Sequence, residues 1–376
     1  MNVQIIGAGI GGLAFARALH RRGLNAQVYE AQPHLRSLGG GLLIPPNSAR
    51  VLERLGIQAV LDTHGVPLRD MQILDHHGRL LYKRDQDAVA AQFGRGLYSV
   101  ARTALHRALA ASLPDGAVQV GHPLTRLEHH FDGVSAFFST GREVQSDVLI
   151  AADGRDSRAR QLLFPETHLA PTGQVAYRGM TRLDPFDDWR DSFVEFWGVG
   201  RRFTFFRMGD GVTYWHAPLH EGAAGGRALR KSEVLRAYRD FPLQVTELIA
   251  ATDEAHLTHV SLADLSPMPA WWRGRVALLG DAAHATSPNL GQGAAQALED
   301  ADALADLLAL EDDFKTAFRQ YQAAREGAAN TAVAESRQLG EIGQAGGPAR
   351  WLRNVGLALS PDLARRRLEA FYEQRP

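Results

Sequence analysis

The 376-residue chain contains no cysteine. That absence excludes disulfide frameworks, thiolate nucleophiles, thiolate-held metals and iron–sulfur clusters. A charge of one sign is missing too: 41 Lys and Arg stand against 42 Asp and Glu, for a formal net charge of −1. Nothing in that balance recommends nucleic acid or an anionic membrane as a partner. No apolar run reaches the roughly 18–20 residues that a membrane span needs. Met1-Asn2 leads straight into a strand-like Val3–Ile6, with no basic leader or cleavage site. A cytoplasmic location is the expectation. What the chain does have is 45% hydrophobic and 22% charged residues, enough for a sizeable core and two domains.

The most informative stretch runs from Arg275 to Asp300. Val276 to Leu279 reads as a buried strand that breaks at Gly280-Asp281. A short loop with Pro288 follows, and Gly291-Gln292-Gly293 opens an alanine-rich helix. A glycine turn at a helix start leaves N–H groups aimed at one point, where the dipole favours negative charge. The anionic N1/C2=O edge of a reduced flavin suits such a site, and Asp281 suits the hydroxyls of a ribityl chain. A plain strand–turn–helix unit is the competing reading.

At the start of the chain, Gly7, Gly9 and Gly12 satisfy G-x-G-x-x-G between the strand Val3–Ile6 and a helix reaching about Arg22. Gly7 makes the tight turn, Gly9 lets the backbone approach a pyrophosphate, and Gly12 allows close helix–strand packing. Gly11 lies in the same turn. A second strand, Ala26–Tyr29, ends at Glu30-Ala31, where the acid suits ribose hydroxyls and disfavours a 2′-phosphate. The ligand is therefore FAD or NAD rather than NADP at this turn. Arg36 is a candidate for adenine or phosphate. Gly39 to Gly41 allow close approach to something flat, or movement, or form a plain connector. Arg102 opens a helix against the dipole preference, which points to a bound anion.

Further on, Met71 to Arg84 reads as a hairpin turning at His77-Gly78, and residues 117–147 as a small meander. Val148 to Ala152 is a continuous apolar strand closed by Asp153-Gly154, with Ser157 as a helix cap. Gln174 to Leu219 alternates and is aromatic-rich, as an antiparallel sheet would be. Its aromatics are either core or the wall of an apolar pocket. Lys231 to Ala250 reads as a helix and His259 to Leu265 as a strand. The chain after Asp300 is helical, with Gly346-Gly347-Pro348 before a basic tail helix containing Arg365, Arg366 and Arg367.

Gly7 to Glu30, Asp153 to Arg160 and Gly280 to Gly293, in that order, resemble the group A flavoprotein monooxygenases. This is the family of p-hydroxybenzoate, salicylate and urate hydroxylases, and the resemblance covers essentially the whole chain. It implies an α/β fold with a glutathione-reductase-like Rossmann FAD-binding domain in three pieces, 1–70, 98–172 and 266–340. A mostly antiparallel substrate-binding sheet comes from 71–97 and 173–265, and a C-terminal helical tail from 341–376. It also implies resident FAD, NADPH or NADH as transient reductant, and O2. One oxygen atom then passes through a flavin C4a-hydroperoxide to a small aromatic or heteroaromatic substrate, in a monomer or homodimer. The resemblance assigns the FAD pyrophosphate and ADP ribose to the first motif, with Arg102 nearby. It assigns FAD support and NAD(P)H use to Asp153, Gly154, Ser157 and Arg160, and the ribityl chain to Gly280 and Asp281. Pro288 and Gly291-Gln292-Gly293 line the isoalloxazine, near Gly40-Gly41.

Arg202 and Tyr214 align with a substrate-contacting arginine and tyrosine of urate hydroxylases. His216, on the same expected face, is a candidate base or a structural histidine. The acid that partners the arginine in those hydroxylases is Asn289 here. Arg202 is therefore expected to lack its acid and to be open to a substrate carboxylate. His284 is expected to be structural. Two rival readings remain: an FAD-dependent reductase or dehydrogenase of the same fold, of the geranylgeranyl-reductase type, and a non-catalytic flavin-binding protein.

Overall fold

The computed structural model describes residues 1–35, 39–184, 187–225, 227–359, 366 and 369–373. Arg36, Arg365 and Arg367 lie outside them. Two large sheets organise the chain. The first has six strands in the order Trp272–Arg273, Val276–Leu278, Val148–Ala151, Val3–Ile6, Ala26–Tyr29, Val118–Gln119. All neighbours are parallel except the edge pair Trp272–Arg273 with Val276–Leu278. Its three central strands are buried at every position. This explains why they read as unbroken apolar runs: both faces of a parallel sheet are covered. Helices Ile10–Arg21 and Gly293–Leu310 pack against each other on this sheet. The three central strands end just before Gly7, Asp153 and Gly280, so the three separated motifs meet along one sheet edge.

The second sheet has seven strands in the order Thr258–Leu265, Leu169–Thr181, Thr213–His220, Arg201–Arg207, Ser192–Gly198, Asp70–Asp75, Leu80–Asp85. It is antiparallel except where Ser192–Gly198 runs parallel to Asp70–Asp75. The two-residue period of a strand sorts its aromatic side chains into two sets. Tyr177, Phe196, Phe203, Phe205 and Trp215 enter a core closed by two helices, Lys231–Ala237 and Leu243–Ala251. Phe193, Phe206 and Tyr214 turn to the opposite face. The single helix expected over Lys231 to Ala250 is therefore two. Pro242 has no N–H to donate and disfavours helical geometry in the residue before it, so the chain turns there.

Two small antiparallel sheets complete the strands. One is the meander Leu124–His129, Val134–Phe138, Glu143–Ser146, and the other joins Gly41–Ile44, Leu97–Ala101 and Val66–Leu68. A Cβ on Gly41 would fall 2.5 Å from the Phe206 ring. Glycine at that position lets the strand lie directly on the aromatic wall. Helix Phe314–Gly343 spans the two sheets, and helix Gly347–Leu359 follows it. No helix among the described residues is long and apolar enough to cross a membrane.

Candidate active site

A single cavity of about 1080 Å³ lies between the motif-bearing edge of the first sheet and the free face of the second. At one end it is bounded by Gly9, Gly11, Glu30 and Arg102, and in the middle by Gly154, Gly280 and Asp281. Gly40, Gly41, Pro288, Gly291 and Gly293 line the approach to the second sheet, where Arg202, Tyr214 and His216 form the far wall. Most of the residues singled out in the sequence therefore meet in one space.

The glycine turn divides its labour as the spacing predicts. Gly7 has φ +101°, and a Cβ there would sit 2.4 Å from the Ala152 carbonyl oxygen. At Gly12 it would sit 2.0 Å from the Gly7 carbonyl oxygen, whereas at Gly9 it would meet nothing within 4 Å. Two glycines are thus needed by the fold, and the third leaves open space beside the cavity. Glu30 accepts hydrogen bonds from the Ala8 N–H (2.8 Å) and the Gln32 N–H (2.9 Å), which fixes the acid at the turn. His106 escaped the sequence reading. Its Nε2 is 2.7 Å from the Ala8 carbonyl oxygen, so a protonated Nε2 donates to the turn from a site lining the cavity. The signal was there, because His106 lies one helical turn beyond Arg102 on helix Arg102–Ala111.

Besides Gly7 and Gly12, four assigned residues build the walls or stand apart instead of lining the space. Asp153 is a cap: its carboxylate accepts from the Ser157 hydroxyl (2.6 Å) and the Ala159 N–H (3.0 Å) at the start of helix Arg158–Leu163. Burial pushes its carboxyl up. Arg160 donates to the carbonyls of Ala282 (3.0 Å), Asp281 (3.3 Å) and Arg155 (2.6 Å), tying the second motif to the third. Gln292 is buried at the start of helix Gly293–Leu310, and Ala31 is exposed. Among the described residues, no group of His, Asp and Glu side chains is arranged to hold a metal.

Behind the third motif lies a buried charge cluster that the sequence did not reveal. Asp300 accepts from the Gly280 N–H (3.1 Å) and lies 2.6 Å from His284 Nε2. Arg325 donates from Nε to Asp300 (2.8 Å) and from Nη2 to Gln296 (2.7 Å), and its Nη1 lies 2.7 Å from Glu299. Burial alone would push the Asp300 carboxyl up, but His284 and then Arg325 hold it at about 2. Burial wins at Glu299, whose carboxyl is raised. His284 is thus a brace for the Gly280 turn.

The far wall corrects the expectation for Arg202. Arg202 is 1% exposed, and its guanidinium donates to Asn289 and, at 2.7 Å, to Glu195 on the adjacent strand. Trp197 is opposite Arg202 in the register, so Glu195 is its diagonal neighbour on the same face. The acid has not been lost; it comes from the sheet rather than from the loop at Asn289. Burial raises the Glu195 carboxyl, with Arg202 opposing. A Cβ on Gly343 would come within 2.4 Å of Arg202 Cδ, so the helix end is kept bare for this arginine.

His216 is opposite both Thr204 and Arg178 in its two strand pairings. Burial, then Arg178 and Arg202, hold its imidazole well below 6.5. At neutral pH it is uncharged, and its Nε2 has no hydrogen-bond partner among the described residues. A group so far from neutrality serves as a fixed polar contact better than as a general base. Tyr214 stays a phenol, because burial raises its pKa, and its ring lies 5.3 Å from that of Phe206.

A bare glycine turn open at Gly9, an arginine and an acid at the same end, and a glycine helix start at Gly293 together fit the pyrophosphate, ribose and ring system of FAD. The comparisons agree. The family model described as FAD binding domain matches residues 1–336. The chain is 32% identical over 345 residues to the aurachin C monooxygenase/isomerase of Stigmatella aurantiaca, covering 92% of this chain and 90% of that protein. It is 33% identical over 331 residues to the FAD-dependent urate hydroxylase of Klebsiella oxytoca, covering 86% of each. The structure of Klebsiella pneumoniae HpxO with FAD and uric acid superposes with a TM-score of 0.92 and 28% identity, over 100% of this chain and 97% of that one. With a full-length fold match, two relatives about a third identical over most of their length and the FAD-binding family over residues 1–336, this chain belongs to the group A flavoprotein monooxygenases.

Proposed function

We propose that this protein uses FAD, NADPH or NADH, and O2 to hydroxylate a small aromatic or heteroaromatic ring held against the second sheet. The observation that carries the reading is the continuity of one cavity from Gly9 to His216. When bound, FAD takes a hydride from the nicotinamide and activates O2, so that one oxygen atom goes to the ring and the other to water. The chain supplies position, polarity and dryness. Gly9 and Arg102 receive the pyrophosphate, Asp281 accepts from the ribityl hydroxyls, and the start of helix Gly293–Leu310 favours negative charge at the flavin edge. Phe193, Phe206 and Tyr214 exclude water where the oxygen is transferred. Asn289 joins the loop of Pro288 to Arg202, so the cofactor side and the ring side share one hydrogen-bonded link. The urate hydroxylase relative acts on a nitrogen heterocycle, which supports the same breadth of substrate class here.

Anaerobic bleaching of the protein-bound flavin by NADPH and by NADH tests this reading, with and without a panel of ring compounds. At least one ring is expected to accelerate bleaching and, on admission of O2, to gain a hydroxyl. Rapid bleaching that no ring alters, with no hydroxylated product, would favour the reductase. A protein that takes up no flavin would remove the reading altogether.

A further inference from the structure

The charges on the far wall do not cancel pairwise. Arg202 is matched by Glu195 at 2.7 Å, and Asn289 adds a neutral acceptor. That arginine therefore presents little uncompensated charge to a ligand. Arg178 is different. It stands on the central strand Leu169–Thr181, directly opposite His216, and both residues line the cavity. Among the described residues it forms no ion pair, and its buried Nε has no acceptor. His216 beside it also has an unpaired Nε2. A buried guanidinium nitrogen without an acceptor is costly unless a ligand or water completes it, and the neutral His216 adds a second donor when its Nε2 carries the proton. A cation and a neutral imidazole side by side, facing into the same space, are completed by an anionic oxygen.

We infer that Arg178, and not Arg202, determines the specificity of this cavity by selecting a ring that carries one negative charge. The inference rests on the hydroxylase reading and deepens it. The anion is either a carboxylate on the ring or an ionised ring oxygen.

The test uses the FAD-loaded protein and reads binding from the ligand-induced change in flavin absorbance, which needs no turnover. The probes are 2-hydroxybenzoate, its neutral carboxamide and urate. The anionic probes are expected to bind more tightly than the carboxamide, with the benzoate and urate arms separating a carboxylate from an ionised ring. Arg178→Met is expected to weaken the anionic probes by about 10- to 100-fold, the worth of a charged hydrogen bond. It should leave the carboxamide and the FAD content unchanged, and Arg178→Lys should restore part of the loss. Equal binding of charged and neutral rings by the parent protein, including none by either, would overturn the inference. So would an Arg178→Met variant that loses all probes alike. Failure of the hydroxylase reading would look different: the binding contrast would persist while no ring altered the rate of flavin bleaching.

Discussion

Gly12→Ala is expected to destabilise the fold severely, while Gly9→Ala is expected to fold normally and bind FAD more weakly. The two glycines lie three residues apart in one motif, yet the space around them is opposite. An added methyl at Gly12 would sit 2.0 Å from the Gly7 carbonyl oxygen and 3.3 Å from the Ala152 Cβ. Neither neighbour can yield, since the Gly7 N–H is bonded to the Tyr29 carbonyl at 2.8 Å and Ala152 N–H to the Ile6 carbonyl at 2.7 Å. Overpacking against fixed backbone belongs at the upper end of the usual range, about 3 kcal/mol or more. At Gly9 the methyl meets nothing within 4 Å, and the residue has an ordinary extended conformation with φ −73°. The apoprotein should therefore melt within about 0.5 kcal/mol of the parent. The same methyl fills the room a pyrophosphate needs, and a clash of about 1–3 kcal/mol weakens FAD by roughly 10- to 100-fold. Thermal melts of both apoproteins and FAD titration of Gly9→Ala are the measurements. Equal effects of the two substitutions would show that the motif is packing alone.

Arg325→Met is expected to be the most damaging change away from the cavity. It would strand Glu299 and Asp300, adjacent in sequence and both 0% exposed, without the guanidinium that bridges them. Breaking a buried ion pair by removing one partner costs about 3–5 kcal/mol. The pH dependence identifies the cause. In the intact protein the Asp300 carboxyl is held at about 2, below the ordinary 3.8. A depressed carboxylate contributes stability above its unfolded pKa, and that contribution is lost as pH falls from about 4 towards 2. In the variant Glu299 loses its counter-charge and burial drives it further upward, while Asp300 keeps His284 alone and is held down less. A raised carboxyl costs stability at neutral pH and is relieved by protonation. The deficit of Arg325→Met should therefore be largest near about pH 7 and shrink below about pH 4. Urea melts at the two pH values read it directly. A deficit that does not change with pH would mean that lost packing, and not stranded charge, is responsible. Asp300 also holds the Gly280 N–H at 3.1 Å, so the same variant should release FAD more readily.

Short-range patterns were legible because they rest on backbone geometry that the local sequence already contains. Gly7-x-Gly9-x-x-Gly12, the apolar strands ahead of Asp153 and Gly280, and the glycines opening Gly293–Leu310 each declare a strand end or helix start from a few neighbouring residues. Their ordered recurrence was enough to name the family and its cofactor. Alternation also predicted that Arg202, Tyr214 and His216 share a face, since a strand turns every second side chain to one side. Pairing across distance was not legible. Nothing in the local sequence says that Glu195 reaches Arg202, that Arg325 bridges Glu299 and Asp300 behind the Gly280 turn, or that Arg178 faces His216. Strand register sets Glu195 against Arg202 across a hairpin seven residues apart, and register and helix packing bring the other groups together from tens of residues away. The sequence by itself determined a dinucleotide site, because the turn and the helix start are local conformations, and its resemblance to a family supplied the cofactor and the class of chemistry. The tertiary structure alone decided which charges on the substrate wall cancel and which remain, because electrostatic pairing depends on distances of a few ångströms between segments remote in the chain.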